Sequence, residues 1–229
     1  ASEIGLNSET PVVVGSGDGT AASVGAAVVN ERSAYNYIGS SSWIALATRE
    51  PILDPERKTF NWIHMDPDMY VPCGTMQSAG ASYNWLKETL CRAEKQLSHK
   101  LDLDVYDLMN LSIEDSKPGA HNLLFLPYLQ GERSPHWNPN AKGAFIGITI
   151  NHSRKDIIRS VMEGVSFNLK IIGEALEKET DFTGIRLIGG GAKSETWAQI
   201  LADVYGKRVK IPEVIEEATS LGAAIAGGL

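Results

Sequence analysis

Short apolar runs that end at glycine or polar turns divide the chain into predicted strands. The first run covers residues 11–15, is rich in valine and ends at a glycine cluster, which is typical of a buried strand that leads into a turn. Two more runs, at 35–39 and 43–47, are separated by three serines and predict a hairpin. Further strands are predicted at 60–65, 123–126, 144–148, 185–188 and 209–211.

Apolar residues that recur every three or four positions predict the helices. The longest begins at about Ser153, where Asp156 completes a capping box, and ends at about Glu179. Other helices are predicted at 79–94, 105–108 and 195–204, and two that are rich in alanine at 20–30 and 218–226. Because strands and helices are mixed without a long linker, the pattern predicts one α/β domain.

The two alanine-rich helices share a local pattern of small residues. Residues 23–28 read Ser-Val-Gly-Ala-Ala-Val, and residues 220–225 read Ser-Leu-Gly-Ala-Ala-Ile. Faces of glycine and alanine permit close backbone approach, although two alanine-rich helices also resemble each other by chance.

Composition and charge restrict the partners of the protein. Hydrophobic residues make up 43% of the chain and charged residues 21%, close to ordinary globular usage. The formal net charge of −7 argues against a broad surface for nucleic acid or for an anionic membrane. No apolar run approaches the roughly 18 residues that span a bilayer, and the N-terminus lacks the features of a signal peptide. We therefore expect a folded cytoplasmic protein without nucleic-acid or membrane partners.

The cysteines and histidines predict neither a disulfide scaffold nor a metal site. Cys73 and Cys91 are too far apart for a CxxC motif, and we expect both to be reduced. The five histidines show neither HxxxH nor HExxH spacing, so no metal ligand is predicted in this chain.

Both ends of the sequence are unusual. The chain begins at Ala1 without a methionine, and it stops at Leu229 directly after a predicted helix. We therefore expect that both ends are cuts through something longer.

Three glycine turns follow predicted strands, at 15–19, 39–42 and 189–192. Glycine lets backbone N–H groups approach an anion, and a helix N-terminus adds partial positive charge. Each turn alone is weak evidence and is better explained as a tight connection between a strand and a helix. Neither standard nucleotide motif is present, because Thr20 stands where a dinucleotide fingerprint needs its third glycine and no Walker A tripeptide occurs.

Asp18 is the carboxylate whose position best suits a catalytic role. It lies between Gly17 and Gly19, at the end of a predicted strand, where α/β proteins place ligands. A carboxylate in this position can act as a general base toward a substrate hydroxyl. The alternative is a structural role in an Asx-turn or as a helix N-cap.

The polar loop at 132–137 lies between apolar strands, and loops of this kind often carry function. A plainer interpretation is that Glu132 forms a charge pair with Arg133 or Arg154.

The longest motif in the chain resembles a known family signature. Residues 126–136, followed by 138–149, are similar to the central signature of the C-terminal domain in the FGGY family of carbohydrate kinases, most closely the xylulokinases. Residues 188–194, with Trp197 and residues 200–203, resemble the adenosine-binding segment of that family. The similarity runs in order from Val12 to Leu229.

The resemblance implies an actin-like, ribonuclease H-like α/β fold, with a mixed sheet flanked by helices. It implies that residues 1–229 are the C-terminal, nucleotide-binding domain and that the N-terminal, sugar-binding domain is absent from this chain. ATP and a sugar would bind between the two domains, and Mg²⁺ would assist with ligands from the absent domain. The resemblance leaves a homodimer open.

The resemblance also assigns roles to individual residues. Asp18 matches the catalytic aspartate that takes the proton of the attacking hydroxyl. The residues that match nucleotide-binding positions are Gly39, Ser40 and Ser41 near the phosphates, Gly80 and Asn84 at a helix start, and Gly190, Gly191, Ala192 and Glu195 around adenine and ribose. Where relatives commonly carry Asn or Gln after the aspartate, this chain has Gly19, which removes a side chain that could hold sugar hydroxyls.

These features together predict the C-terminal half of a kinase that transfers the γ-phosphoryl group of ATP to a hydroxyl of a pentulose, with D-xylulose as the leading candidate. Alone, the fragment is expected to be inactive. Ribulose, gluconate and glycerol remain alternative acceptors. A non-catalytic actin-like module is a further alternative, which Asp18 disfavours because a carboxylate beside a triphosphate would repel it.

Overall fold

The strands of the protein form a six-stranded mixed sheet and a separate two-stranded ribbon. The computed structural model describes residues 3, 5, 7 and 9–228. The strands are β1 (Ala34–Ile38), β2 (Ser42–Leu46), β3 (Phe60–Ile63), β4 (Tyr70–Met76), β5 (Leu124–Leu126), β6 (Ala144–Ile146), β7 (Gly184–Ile188) and β8 (Arg208–Lys210). The helices are α1 (Asp18–Gly25), α2 (Gly80–Leu90), α3 (Arg92–Leu101), α4 (Val105–Ser112), α5 (Arg154–Glu177), α6 (Glu195–Tyr205) and α7 (Ala218–Gly227).

The order of strands in the large sheet is β3-β4-β2-β1-β7-β8. β1 pairs antiparallel with β2, with Ile38 opposite Ser42, and this pairing confirms the predicted hairpin. On its other side β1 pairs parallel with β7, and β7 pairs parallel with β8. The ribbon consists of β5 and β6. A mixed sheet with helices confirms the predicted α/β class.

Helix α5 packs on one face of the sheet, as its apolar spacing predicts. Its residues that are fully buried in the main core include Val161, Val165, Leu169 and Ile172. At the helix start, the Asp156 carboxylate accepts hydrogen bonds from Ser153 N at 2.8 Å and Ser153 Oγ at 2.7 Å. This confirms the capping box that the sequence predicts.

Helices α1 and α7 pack against each other next to a second core that contains Tyr35 and Trp43. A Cβ at Gly25 would lie 1.7 Å from the carbonyl oxygen of Ala218, and a Cβ at Gly222 would lie 1.8 Å from that of Ala21. Any side chain at either glycine would therefore push the helices apart. Helices α1 and α7 therefore make the close backbone contact that their small-residue pattern permits.

Residues 11–15 do not form the buried strand that their valines predict. Val12 and Val14 are almost completely exposed, and no strand in the described part of the chain pairs with this segment. Valine-rich runs favour strands only where a neighbouring strand and a core are present. Asp18 consequently does not follow a strand; it is the first residue of α1, after the N-cap Gly17.

The region between 70 and 101 differs from the prediction in two ways. The helix predicted at 79–94 is two helices, α2 and α3, because the chain turns out of helical conformation at Cys91. Strand β4 was not predicted, because Pro72 and Gly74 interrupt its apolar pattern. Gly74 is required by packing, since a Cβ there would lie 2.4 Å from Ile172 Cγ2 of α5.

Cys73 and Cys91 are both buried free thiols, as predicted. Within the described ranges, no helix combines the length and the apolar character needed to cross a membrane.

Candidate functional site

The turn between β1 and β2 is joined to the start of α2 by backbone hydrogen bonds. Gly80 N donates to Gly39 O at 2.9 Å, and both Ala79 N and Ala81 N donate to Ser40 O at 3.0 Å. The carbonyls of the turn therefore take the role that a side-chain cap has at other helices. The amides of Ala79, Gly80 and Ala81 at the start of α2 are therefore already occupied.

Two glycines allow three chain segments to meet at the end of β1. A Cβ at Gly80 would lie 2.4 Å from Gly39 O, and a Cβ at Gly191 would lie 2.4 Å from Ile38 Cγ2. Both contacts are far shorter than carbon atoms permit, so only glycine fits at these positions. Two of the three predicted glycine turns thus meet at one place in the fold.

A cavity of about 1220 Å³ opens where these segments meet. Its volume exceeds the roughly 300–1,000 Å³ of typical small-ligand pockets. The predicted site residues that line it are Gly39, Ser40, Gly80, Asn84, Gly190 and Gly191.

Three predicted nucleotide-binding residues are not part of the cavity wall. Ala192 is buried in the main core, and Glu195 is exposed at the first position of α6. Ser41 uses its carbonyl oxygen to accept the N–H of Gly39 at 2.9 Å. The amides of Ser40 and Ser41 donate to no protein acceptor among the described residues, so these two N–H groups are free to bind a ligand.

Helix α4, of which the sequence predicts only residues 105–108, supplies a wall of the cavity. Tyr106 stacks on Tyr83, with ring centroids 5.7 Å apart, and donates its hydroxyl to Asn84 Oδ1 at 3.2 Å. Tyr83 donates to Asn110 Oδ1 at 3.1 Å. The apolar spacing of Val105 and Met109 was the available signal that α4 packs on the protein.

Charged groups at the cavity are mainly acidic. Glu88, Asp104, Asp107 and Glu216 line it, and Lys193 is paired with Glu216 at 2.6 Å. No group of three or more His, Cys, Asp or Glu side chains that could hold a metal occurs in the described part of the chain. An anion in this cavity would therefore depend on backbone amides and on charge brought from elsewhere.

Asp18 is exposed and does not border this cavity. Its Oδ1 accepts the N–H of Gly19 at 2.8 Å, and the helix N-cap is Gly17, so Asp18 is not the N-cap, which was one of its two structural alternatives. The second carboxylate oxygen makes no hydrogen bond within the described residues.

A chain of aromatic contacts connects the Asp18 turn with the β1–β2 turn. Tyr35 donates its hydroxyl to Gly19 O at 2.6 Å and accepts from Trp43 Nε1 at 2.9 Å. Trp43 stacks on Tyr37 at 4.1 Å, and the Tyr37 ring lies against Gly39. Burial raises the pKa of Tyr35 well above its ordinary value, so this hydroxyl remains a donor. The two turns are thus held in a fixed relation.

Glu132 is buried, and no cationic side chain in the described part of the chain forms an ion pair with it. Its Oε1 accepts from Gln77 N at 2.7 Å and Arg133 N at 2.8 Å, and its Oε2 accepts from Asn168 Nδ2 at 3.2 Å. Burial raises the pKa of Glu132 to about 7. The charge pair of the plainer interpretation is not formed, because Arg154 pairs with Glu94 and Arg133 contributes its backbone N–H.

A comparison with protein families identifies the chain. Residues 34–229 match the family model described as the C-terminal domain of the FGGY family of carbohydrate kinases. The chain belongs to the FGGY family of carbohydrate kinases. Asp18 lies before the matched range, so its role depends on the structure around it.

Individual relatives in the FGGY family match nearly the whole chain. It is 36% identical to a xylulose kinase of Staphylococcus epidermidis over 98% of its length, and 33% identical to the gluconokinase of Bacillus subtilis over 99%. It spans only 43% and 44% of the lengths of these two proteins.

Solved structures of FGGY kinases have the same fold. The ligand-bound xylulose kinase of Lactobacillus acidophilus matches with a TM-score of 0.85 at 29% identity, over 99% of this chain and 44% of that one. A gluconate kinase of the same organism also matches with a TM-score of 0.85, at 28% identity, over 99% of this chain and 44% of that one. These matches confirm the predicted actin-like fold.

Proposed function

We propose that residues 1–229 are the C-terminal, nucleotide-binding domain of an ATP-dependent sugar kinase. The reaction is transfer of the γ-phosphoryl group of ATP to a hydroxyl of a pentulose, with D-xylulose as the first candidate. The observation that carries the proposal is the cavity at which Gly39, Gly80 and Gly191 permit three segments to meet.

The free amides of Ser40 and Ser41 are suited to bind phosphate oxygens, because backbone N–H groups in such turns act as anion donors. Gly190 and Gly191 line the same cavity as Tyr106 and Asn84. We assign the nucleoside to this aromatic wall and the phosphates to the serine turn. Ala192 belongs to a short 3₁₀ helix (Gly190–Lys193) and Glu195 is the first residue of α6. Both would support the nucleoside site from outside the cavity wall, by positioning Gly190 and Gly191.

Asp18 is the proposed general base. Its Oδ1 is held by Gly19 N, which leaves the other oxygen to accept a proton from the acceptor hydroxyl. Phosphoryl transfer needs alignment more than covalent chemistry. The hydrogen bonds from Trp43 to Tyr35 and from Tyr35 to Gly19 O supply that alignment by fixing the turn.

Mg²⁺, when bound with ATP, neutralises charge on the phosphates. Mg²⁺ is usually held by one or two carboxylates together with substrate phosphates, and the described residues contain no cluster of carboxylates that could hold it, so its protein ligands would come from the N-terminal domain.

The proposed partner is an N-terminal, sugar-binding domain of the same protein. The chain spans 44% of the length of the Bacillus subtilis gluconokinase, which leaves room for such a domain. We also propose a cytoplasmic location, which suits an ATP-dependent enzyme with two free, buried cysteines.

Gluconate is the second candidate acceptor, because gluconokinases are as similar to this chain as xylulose kinases are. The test is an ADP-release assay on the longer protein that contains this chain, with D-xylulose, ribulose, gluconate and glycerol. We expect release that depends on D-xylulose. If ADP is released with none of the four sugars, the kinase assignment is contradicted. If ADP is released with gluconate alone, gluconate and not a pentulose is the acceptor.

A further inference from the structure

An aromatic ring fills the space beside the proposed base. Gly19 follows Asp18, and a Cβ at Gly19 would lie 2.2, 2.4 and 2.6 Å from Cζ3, Cη2 and Cε3 of Trp62. Carbon atoms do not approach each other so closely. Position 19 therefore accepts only glycine while the Trp62 ring is in place.

Trp62 is held from several directions. Its ring meets Trp43 edge-on at 6.0 Å and Phe60 at 5.7 Å. The neighbouring residue of β3, Ile63, accepts a hydrogen bond from Thr20 Oγ1 at 2.8 Å. Strand β3 thus contacts the first turn of α1 at two successive positions, which holds the Trp62 ring against Gly19.

The ring nevertheless stays partly exposed, and Asp18 beside it is exposed. Because the ring lies against Gly19, the residue next to Asp18, it is a neighbour of an acceptor whose hydroxyl reaches Asp18. Aromatic rings offer apolar surface and a face with partial negative charge, so they suit C–H groups of a neutral sugar and disfavour a carboxylate.

We propose that Trp62 determines acceptor specificity by packing against the carbon chain of the sugar where a polar side chain at position 19 would otherwise bind it. This inference rests on the proposed function, in which Asp18 is the base. It assigns the acceptor to neutral sugars such as a pentulose and places gluconate second.

The first test compares Trp62→Ala, Trp62→Phe and a control, Trp137→Phe, in the longer protein that contains this chain. Trp137 contacts Phe60, at 6.1 Å, at the far end of the same aromatic cluster. Trp62→Ala should raise the KM for D-xylulose by roughly three- to tenfold, with the KM for ATP unchanged. Trp62→Phe keeps an aromatic ring, so its KM for D-xylulose should be close to that of the unmodified enzyme. Trp137→Phe should behave as the unmodified enzyme.

The second test asks whether a polar side chain at position 19 can replace Trp62 as the group that contacts the acceptor. Gly19→Asn alone should lower the melting temperature, because its Cβ meets the indole. In the Trp62→Ala background the same asparagine has space, so the melting temperature should recover and the ratio of kcat/KM for gluconate over D-xylulose should rise.

The outcomes separate the two proposals. No phosphorylation of any sugar by the unmodified enzyme would overturn the proposed function itself. Normal phosphorylation with an unchanged KM for D-xylulose in folded Trp62→Ala would overturn the role of Trp62 alone. Should Trp62→Ala not fold, Trp62→Leu gives the same test, because it keeps an apolar contact on Gly19 and lacks the ring.

Discussion

Gly80 N donates a hydrogen bond to Gly39 O at 2.9 Å, and a Cβ on Gly80 would lie 2.4 Å from that same oxygen. The hydrogen bond forms because Gly80 has no side chain, since any larger residue would separate α2 from the β1–β2 turn. The shape of the proposed nucleotide cavity therefore depends on one glycine at the start of a helix.

Gly80→Ala tests this dependence. We expect a loss of stability of roughly 1–3 kcal/mol, typical of overpacking, together with weaker ADP binding. Gly15→Ala is the matched control, because a Cβ at Gly15 meets no atom of the described residues within 4 Å; its effect should stay within about 0.5 kcal/mol. Denaturant unfolding of both variants measures the difference, and equal stabilities would contradict the packing argument.

Asp18→Asn tests the proposed base in the longer protein. Asparagine keeps an oxygen for Gly19 N but cannot take a proton, so kcat should fall by about 10²–10⁴-fold. ADP affinity and melting temperature should not change. Turnover close to that of the unmodified enzyme would remove Asp18 from the mechanism.

Glu132 predicts a pH dependence of stability. Its pKa is raised from the ordinary 4.5 to about 7, so between these values the unfolded state loses its proton first. The free energy of unfolding should therefore fall as pH rises from about 4.5 to about 7, by about 3 kcal/mol in total if this group acts alone. Above about pH 8, where the group is ionised in both states, its contribution should be constant.

Glu132→Gln provides the comparison for that pH dependence. Glutamine keeps an oxygen for the N–H groups of Gln77 and Arg133 but does not titrate in this range. Thermal unfolding from pH 4.5 to 8 should show a shallower decline for the variant than for the unmodified chain. Parallel curves would mean that Glu132 does not titrate with a raised pKa.

The contact between α1 and α7 predicts opposite effects for two glycines of one helix. Gly222→Ala would place a Cβ 1.8 Å from Ala21 O, so it should destabilise the chain by roughly 1–3 kcal/mol. A Cβ at Gly227 meets Val13 Cγ2 at an ordinary 3.5 Å. Gly227→Ala should be neutral or stabilising by up to about 1 kcal/mol. Urea unfolding of the two variants, side by side, decides whether the helix contact is as close as described.

The sequence predicted those elements whose signals are local. The hairpin of β1 and β2 and the capped start of α5 at Ser153 follow from spacing within a few residues. Residues 11–15 were predicted wrongly, because burial of a valine-rich run depends on distant partners. Strand β4 was missed because Gly74 serves contact with α5, which no local pattern shows.

The candidate site was predicted in the same uneven way. Glycine turns are visible in sequence, so Gly39, Gly80 and Gly191 were found and do meet. Tyr106 was missed, because its place beside Asn84 comes from the packing of α4. The Trp62 ring packs against Gly19, which lies 43 residues away in the sequence. No local pattern around either residue predicts this contact.

The central claim is that the cavity at Gly39 and Gly80 binds the nucleotide, and calorimetric titration of the 229-residue chain with ADP and Mg²⁺ tests it most directly. We predict binding of one ADP per chain at millimolar or lower concentration, weakened in Gly80→Ala and unchanged in Gly15→Ala. No binding at millimolar ADP, or equal binding in all three proteins, would contradict the account.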